Sequence, residues 1–327
     1  MPAVNISDSE VNAINATSIA FISIWCYLMI IFGLIGHILS IGVFTRPSLR
    51  SNPCSCYFLA ATISAIGLVA INVLLRLLQT VYKINIYMGS VTICKFLSWL
   101  FLWIKIQHGW FIALASIDRS SSTSYRLLSS LRVAYRTIPL TSLIVGLAHV
   151  HVLIYFRINV KQQTCVPLQG IYQEFFGAWY LVTFSLTAPM FMLFFGLSTV
   201  RNIRQSIRRV GQHNIQIPIP LHQLRKKIDR QMIEMMLVQC IVFIFTASLP
   251  AVYFFYTSFR SNVTVDTLQL AKDNLLYNIT GFLSLTVPCM SFYLFTLSSK
   301  LFRNELIKLL SGHWQSLKTI AINIALS

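Results

Sequence analysis

Nine carboxylates are spread through the 327 residues, at Asp8, Glu10, Asp118, Glu174, Asp229, Glu234, Asp266, Asp273 and Glu305. Paired-carboxylate catalysis needs two of them at one reacting atom. None lies in the middle of an apolar run, so no such pair is available there. His149 and His151 are two residues apart, a spacing that sends helical side chains to different faces, unlike the i, i+4 pair of a helical metal site. They read as packing or interfacial histidines. The seven cysteines (26, 54, 56, 94, 165, 240 and 289) make no CxxC pair and no His/Cys cluster of zinc spacing. Most read as small apolar fillers. Neither a glycine-rich phosphate loop nor a Gly-x-Ser-x-Gly elbow occurs. No catalytic centre, metal or cofactor is expected, and the chain is not read as an enzyme.

The informative ionisable residue is Lys105, in Trp103-Ile104-Lys105-Ile106-Gln107-His108. An ammonium in the middle of a membrane span costs at least a few kcal/mol unless it faces a polar interior. Two readings stand side by side. Lys105 is hydrogen-bonded to carbonyls or hydroxyls inside a bundle, or it forms the cationic floor of a pocket for an anionic or carbonyl-bearing ligand. Arg76 lies near the end of another apolar run, and snorkelling is favoured for it over ligand contact.

The elements that must position these residues are long apolar helices. Hydrophobic residues make up 56% of the chain and charged ones 11%, where a soluble domain carries about a quarter charged residues. The apolar runs are about 20 residues long, the length that crosses a bilayer core of about 30 Å. Spans are expected at roughly 19–44, 54–79, 93–121, 138–157, 176–201, 231–257 and 275–297. Alternate loops then hold eighteen basic residues, among them Arg46, Arg50, Arg132, Arg136 and Lys300, against about six, such as Lys83 and Lys272, on the other side. Positive charge resists translocation, so the net charge of +17 reads as topology with the N-terminus outside, and not as a nucleic-acid surface. The sequons at Asn5, Asn15 and Asn262 agree with glycosylation on that side. No cleaved signal peptide is read at the start of the chain, since residues 1–18 lack a basic start and the run from Ile19 is too long.

Domain organisation follows: an extracellular segment 1–18, an all-α seven-helix transmembrane domain 19–297, a short amphipathic surface helix 298–310 and a cytoplasmic tail 311–327. Phe302, Leu306, Leu309 and Leu310 recur at helical spacing among Lys300, Arg303 and Lys308, which predicts that surface helix. The loop near 212–220 has Pro218 and Pro220 and is read as unstructured at its centre, with helix resuming over the basic run 222–230.

The third run joins two chemically opposite ends. From Cys94 to Arg119 is 25 residues, about 37 Å of helix. Cys94 lies at the oxidising face, Cys165 lies in the loop between spans four and five, and a disulfide between them is feasible. Asp118-Arg119-Ser120 lies at the opposite face.

In these features the chain resembles the rhodopsin-like (class A) G-protein-coupled receptor family, as a divergent member similar to invertebrate peptide receptors. That family joins a cysteine at the top of helix three to the second outer loop, and has an Asp-Arg-Tyr-like motif the same distance below. Pro189 and Pro250 match its helix-five and helix-six prolines. Residues 229–239 look like the start of its helix six, and Phe302-Arg303 like the opening of its surface helix. Departures are numerous. Ser291-Phe292-Tyr293-Leu294-Phe295 stands at the Asn-Pro-x-x-Tyr position, and His37 replaces the helix-one asparagine. Ile63-Ser64 stands where helix two carries aspartate, and Ser248 replaces the helix-six tryptophan.

The resemblance implies a plasma-membrane receptor that passes binding of an extracellular ligand, a peptide by analogy, to a heterotrimeric G protein. Asp118, Arg119, Pro250, Ser291 and Phe295 would then serve coupling and switching, and Phe101, Lys105, Phe255 and Tyr277 would line the ligand crevice. A transporter or channel subunit and a non-signalling seven-helix scaffold are the competing classes.

Overall fold

A computed structural model describes residues 6–124, 129–159, 164–212, 219–259, 266–300 and 302–311. Seven helices are long and apolar enough to cross a membrane: Asp8–Phe44, Pro53–Thr80, Val91–Ser120, Leu131–Tyr155, Ile171–Thr199, Leu237–Thr257 and Thr267–Ser298. The architecture is that of an all-α multi-pass membrane bundle. The third helix lies at its centre, with 67% of its most apolar stretch buried against 22% for the fourth.

Several helices run beyond the apolar runs that betray them, and the reasons are local. The first helix begins at Ile6 instead of near 19, because residues 6–18 contain neither Pro nor Gly and a formed helix propagates cheaply. The fourth begins at Leu131, where the Ser130 hydroxyl accepts the Val133 N–H at 3.3 Å, and the seventh at Thr267, capped by the Asp266 carboxylate at 2.7 Å. Helix six starts at Ile219 with Pro220 in its first turn, where a missing N–H costs nothing. Most of the expected unstructured stretch, residues 213–218, lies outside the described residues. Between helices four and five, strands β1 (Phe156–Asn159) and β2 (Thr164–Pro167) pair antiparallel, with Ile158 opposite Cys165.

Helix one packs closely on helix seven. A Cβ at Gly36 would come within 2.9 Å of the Phe292 Cβ, an atom next to the backbone that cannot rotate away. Gly36→Ala is expected to destabilise the bundle by about 1–3 kcal/mol by overpacking. Gly281→Ala, where a new Cβ meets nothing within 4 Å, should be neutral, and thermal unfolding in detergent compares the two. Cys26, Cys54, Cys240 and Cys289 are buried thiols in this packing, in keeping with small fillers.

Residues 302–311 form a further helix after Ser298. Ser299 opens it, its hydroxyl accepting the Phe302 N–H at 3.2 Å. Phe302 stacks into an aromatic knot with Phe44, Phe58 and Phe295, at centroid distances of 5.2–5.7 Å. Arg303 Nη1 donates to the carbonyls of Thr296 and Leu297, at 2.8 and 2.9 Å, closing the end of helix seven. Glu305 joins Arg46 at 3.5 Å and Lys308 at 2.9 Å.

Burial acts to push the Glu305 carboxyl up, but hydrogen bonds from Lys308, Ser48 and Arg46 outweigh it and hold the group below the ordinary carboxylate range. A depressed carboxylate contributes stability above its unfolded value of about 4.3 and loses it as pH falls through the folded value. Glu305→Gln is therefore expected to lower the melting temperature at pH 7, and the difference from the parent chain should shrink toward pH 4. A difference that does not change with pH would show that the contact acts by packing alone.

Candidate functional site

Helix three, Val91–Ser124, carries the polar groups of the interior, and consecutive residues 100° apart send them to different neighbours. Lys105 reaches helix seven, Gln107 accepts from the Ser142 hydroxyl of helix four at 2.8 Å, and His108 Nδ1 lies 2.9 Å from the Ala61 carbonyl of helix two. Two indole N–H groups add to the seam with helix four, Trp99 donating to the Gly146 carbonyl at 3.0 Å and Trp103 to that of Ser142 at 2.7 Å. This lattice holds helix three at one rotation about its axis.

At one end of the helix, Cys94 and Cys165 form a disulfide with Cα atoms 5.6 Å apart. It ties β2 to the first turns of helix three. Lys95 Nζ donates to the Ile154 carbonyl at 2.9 Å beside it.

Lys105 is 3% exposed. Its Nζ donates to the Ser284 hydroxyl of helix seven at 2.7 Å. It also sits over three aromatic rings: Phe101 at 5.4 Å, Tyr180 at 5.3 Å and Phe184 at 4.9 Å. Ring quadrupoles attract a cation at these distances, more strongly where water is absent. The Ser284 hydroxyl donates to the Gly281 carbonyl at 2.6 Å, which leaves its oxygen lone pairs to accept from Lys105. The bonding to a hydroxyl expected for a structural lysine is therefore present, and three aromatic faces are added to it. Helices three, five and seven meet at this one nitrogen.

Arg76 is half-buried and bonded within the bundle. Its guanidinium donates to Gln79 at 3.2 Å and to Asn278 of helix seven at 2.8 Å, and lies 5.8 Å from the Tyr277 ring. Asn278 in turn donates to Ser18 of helix one at 3.2 Å. Of the four residues expected to line a crevice, Phe101 and Lys105 are together. Tyr277 is one turn of helix or more away beside Arg76 and Tyr253. Phe255 is 38% exposed and joins neither group; its neighbours Tyr253 and Phe254 make the aromatic contacts.

At the other end of helix three Asp118 and Arg119 are both buried. Pro250 lies inside helix six. Ser291 is buried in helix seven and Phe295 is in the aromatic knot described above. Asn15 is exposed on the first helix, and Asn5 and Asn262 lie outside the described residues.

The histidine pair requires a correction. Helix four breaks at His149–Val150 and resumes at His151, so the two rings are brought within 5.9 Å of each other instead of facing apart. His149 bonds the Val145 carbonyl at 2.8 Å and accepts from Trp179 at 3.3 Å, and His151 Nδ1 lies 2.7 Å from the Tyr172 hydroxyl. Among the described residues no group of three or more His, Cys, Asp or Glu is placed to hold a metal. The pair joins the ends of helices four and five.

Sequence reasoning missed Ser284, Tyr180 and Phe184 as partners of Lys105. Tyr180 and Phe184 are spaced i, i+4 and share a helix face, a visible signal, but nothing local says which lysine that face meets. Comparison with protein-family models and with curated proteins finds no match to this chain.

Proposed function

We propose that this chain is a divergent rhodopsin-like G-protein-coupled receptor of the plasma membrane. The observation that carries the reading is the third helix: it lies at the bundle centre, is disulfide-tied at Cys94, has a cation in its middle and ends in a buried Asp118-Arg119. The basic loops put the N-terminus outside. The helix over 302–311, with exposed Ile307 and Leu310 beside buried Phe302, would then lie along the inner membrane surface.

In this reading a ligand entering from the Cys94 end, a peptide by family analogy, biases two packings of one bundle. The centre where helices three, five and seven meet at Lys105 transmits the bias. Helix six moves about Pro250 and opens a groove at the Arg119 end for a heterotrimeric G protein. Arg119 contacts the G protein only in that state, which makes its removal diagnostic.

Nucleotide exchange on a panel of G proteins, measured on the purified chain in lipid nanodiscs with candidate peptides, tests the reading. Arg119→Ala is expected to reduce stimulated exchange by about tenfold or more, the loss of one charge-assisted hydrogen bond's worth of coupling, about 1.5–3 kcal/mol. Exchange unaffected by Arg119→Ala would overturn the mechanism, and no exchange with any ligand would favour the non-signalling scaffold.

A further inference from the structure

In the half of the bundle nearer Cys94, Lys105 is buried and Arg76 half-buried, and among the described residues neither has an acidic partner. Lys105 is bonded to Ser284 and Arg76 to Gln79 and Asn278, all neutral. Asp118, on the same helix as Lys105, is 13 residues along it, about 20 Å away. Asp273 is engaged by Tyr256 at 3.3 Å and Gln269 at 2.9 Å. The cation sites are staggered in depth. Their anchors on helix seven, Asn278 and Ser284, are six residues apart, about 9 Å along the axis.

An ammonium has three donors, and among the described residues only one is used, toward Ser284. The remaining charge is met by ring faces alone, which hold a cation without neutralising it. The Tyr180 hydroxyl, buried on the wall of the same cage, lies beside the Ser284 hydroxyl but makes no hydrogen bond of normal geometry. A second donor is thus aimed into the Lys105 cage beside the first. Phe184, Tyr180 and Ser284 are fully enclosed, whereas Phe101 is only partly buried. It stands one turn nearer Cys94 than Lys105, about 6 Å along the helix, with its ring centroid 5.4 Å from the nitrogen.

We infer that the bundle binds an organic anion from the Cys94 end, its carboxylate pairing with Lys105 and the Tyr180 hydroxyl, with Phe101 as the movable cover. Arg76, shallower by about two turns, attracts the same charge on entry. The inference rests on the receptor reading for the direction of entry, and it names the chemistry of the ligand. A small organic acid and the free C-terminus of a peptide both present this carboxylate.

Binding to the purified full chain in nanodiscs is read by thermal shift and by titration calorimetry, and its association rate by surface plasmon resonance on the same nanodiscs, with no G protein present. One arm uses decanoate against decanamide; the other uses N-acetyl-Phe-Leu as the free acid against its C-terminal amide. The acid of at least one pair is expected to bind about tenfold or more tightly than its amide, and the arm that shows the preference identifies the source of the carboxylate. Lys105→Met should abolish that preference and Lys105→Arg should retain it. Arg76→Gln should slow association, most clearly at low salt, and Phe101→Ala should speed it. Equal affinity for acid and amide, an acid preference that survives Lys105→Met, or no binding of either acid would overturn the proposal. If Lys105→Met fails to fold, the Phe101→Ala and Arg76→Gln rates decide. Because coupling is not read, failure of anion binding and failure of the receptor assignment give separate results.

Discussion

Ser284→Ala is expected to destabilise the bundle by about 1.5–3 kcal/mol, the range for losing a hydrogen bond to a buried charged group. Lys105 would keep three ring faces and lose its one hydrogen bond from helix three to helix seven. Lys105→Met, which removes the charge and keeps the length of the side chain, should be neutral or stabilising, because apolar replacement of a buried ionic group removes the desolvation penalty with it. The double substitution separates the two effects. If the hydroxyl matters through the ammonium, Ser284→Ala costs little in a Lys105→Met background, giving a coupling of about 1 kcal/mol or more. Additive effects would mean that Ser284 acts through its own bond to Gly281. Thermal unfolding of all four proteins in the same detergent measures this.

Cys94→Ser is expected to have the largest effect on folding. The disulfide closes a segment with sequence separation 71, for which the chain-entropy relation gives about 4 kcal/mol at 25 °C. Helix four lies within that segment and is held by the bilayer even in a loosened state, so the figure is an upper bound and about 2–4 kcal/mol is the expected range. The structural consequence is local. Without the bond, β2 is held to helix three only by packing and by pairing to β1, and the segment covering the Cys94 end is released. Surface expression of Cys94→Ser and of Cys165→Ser should fall together, and the double variant should be no worse than either single one. A single variant that traffics normally and melts like the parent chain would contradict this.

How much of the fold was legible in sequence depended on the range over which each signal acts. Apolar runs announced seven spans because the bilayer imposes one length on every helix that crosses it. Their ends were less legible. Caps such as Ser130 and Asp266 extend helices into polar sequence, and hydropathy does not register a capped polar turn. The histidine pair shows a different failure. A spacing of two separates faces only on an unbroken helix, and helix four breaks between His149 and His151. Arg76, at the end of a span, has the position of a snorkelling residue; its bond to Asn278 is 202 residues away in sequence and leaves no local trace.

Within the candidate site, residue type alone marked Lys105, because the cost of an ammonium in an apolar span does not depend on what surrounds it. The sequence likewise determined the number of helices, the excess of basic charge in alternate loops, and the two cysteines able to meet beside the third helix. Only the tertiary structure decided that Ser284, Tyr180, Phe184 and Phe101 surround the Lys105 nitrogen, that Phe255 stands apart from it, and that among the described residues no carboxylate bonds either it or Arg76. The physical reason is that apolar faces direct helices into a bilayer without specifying rotation or neighbour. Those are set by the indole, hydroxyl and ammonium contacts between helices, each made by residues tens to hundreds of positions apart.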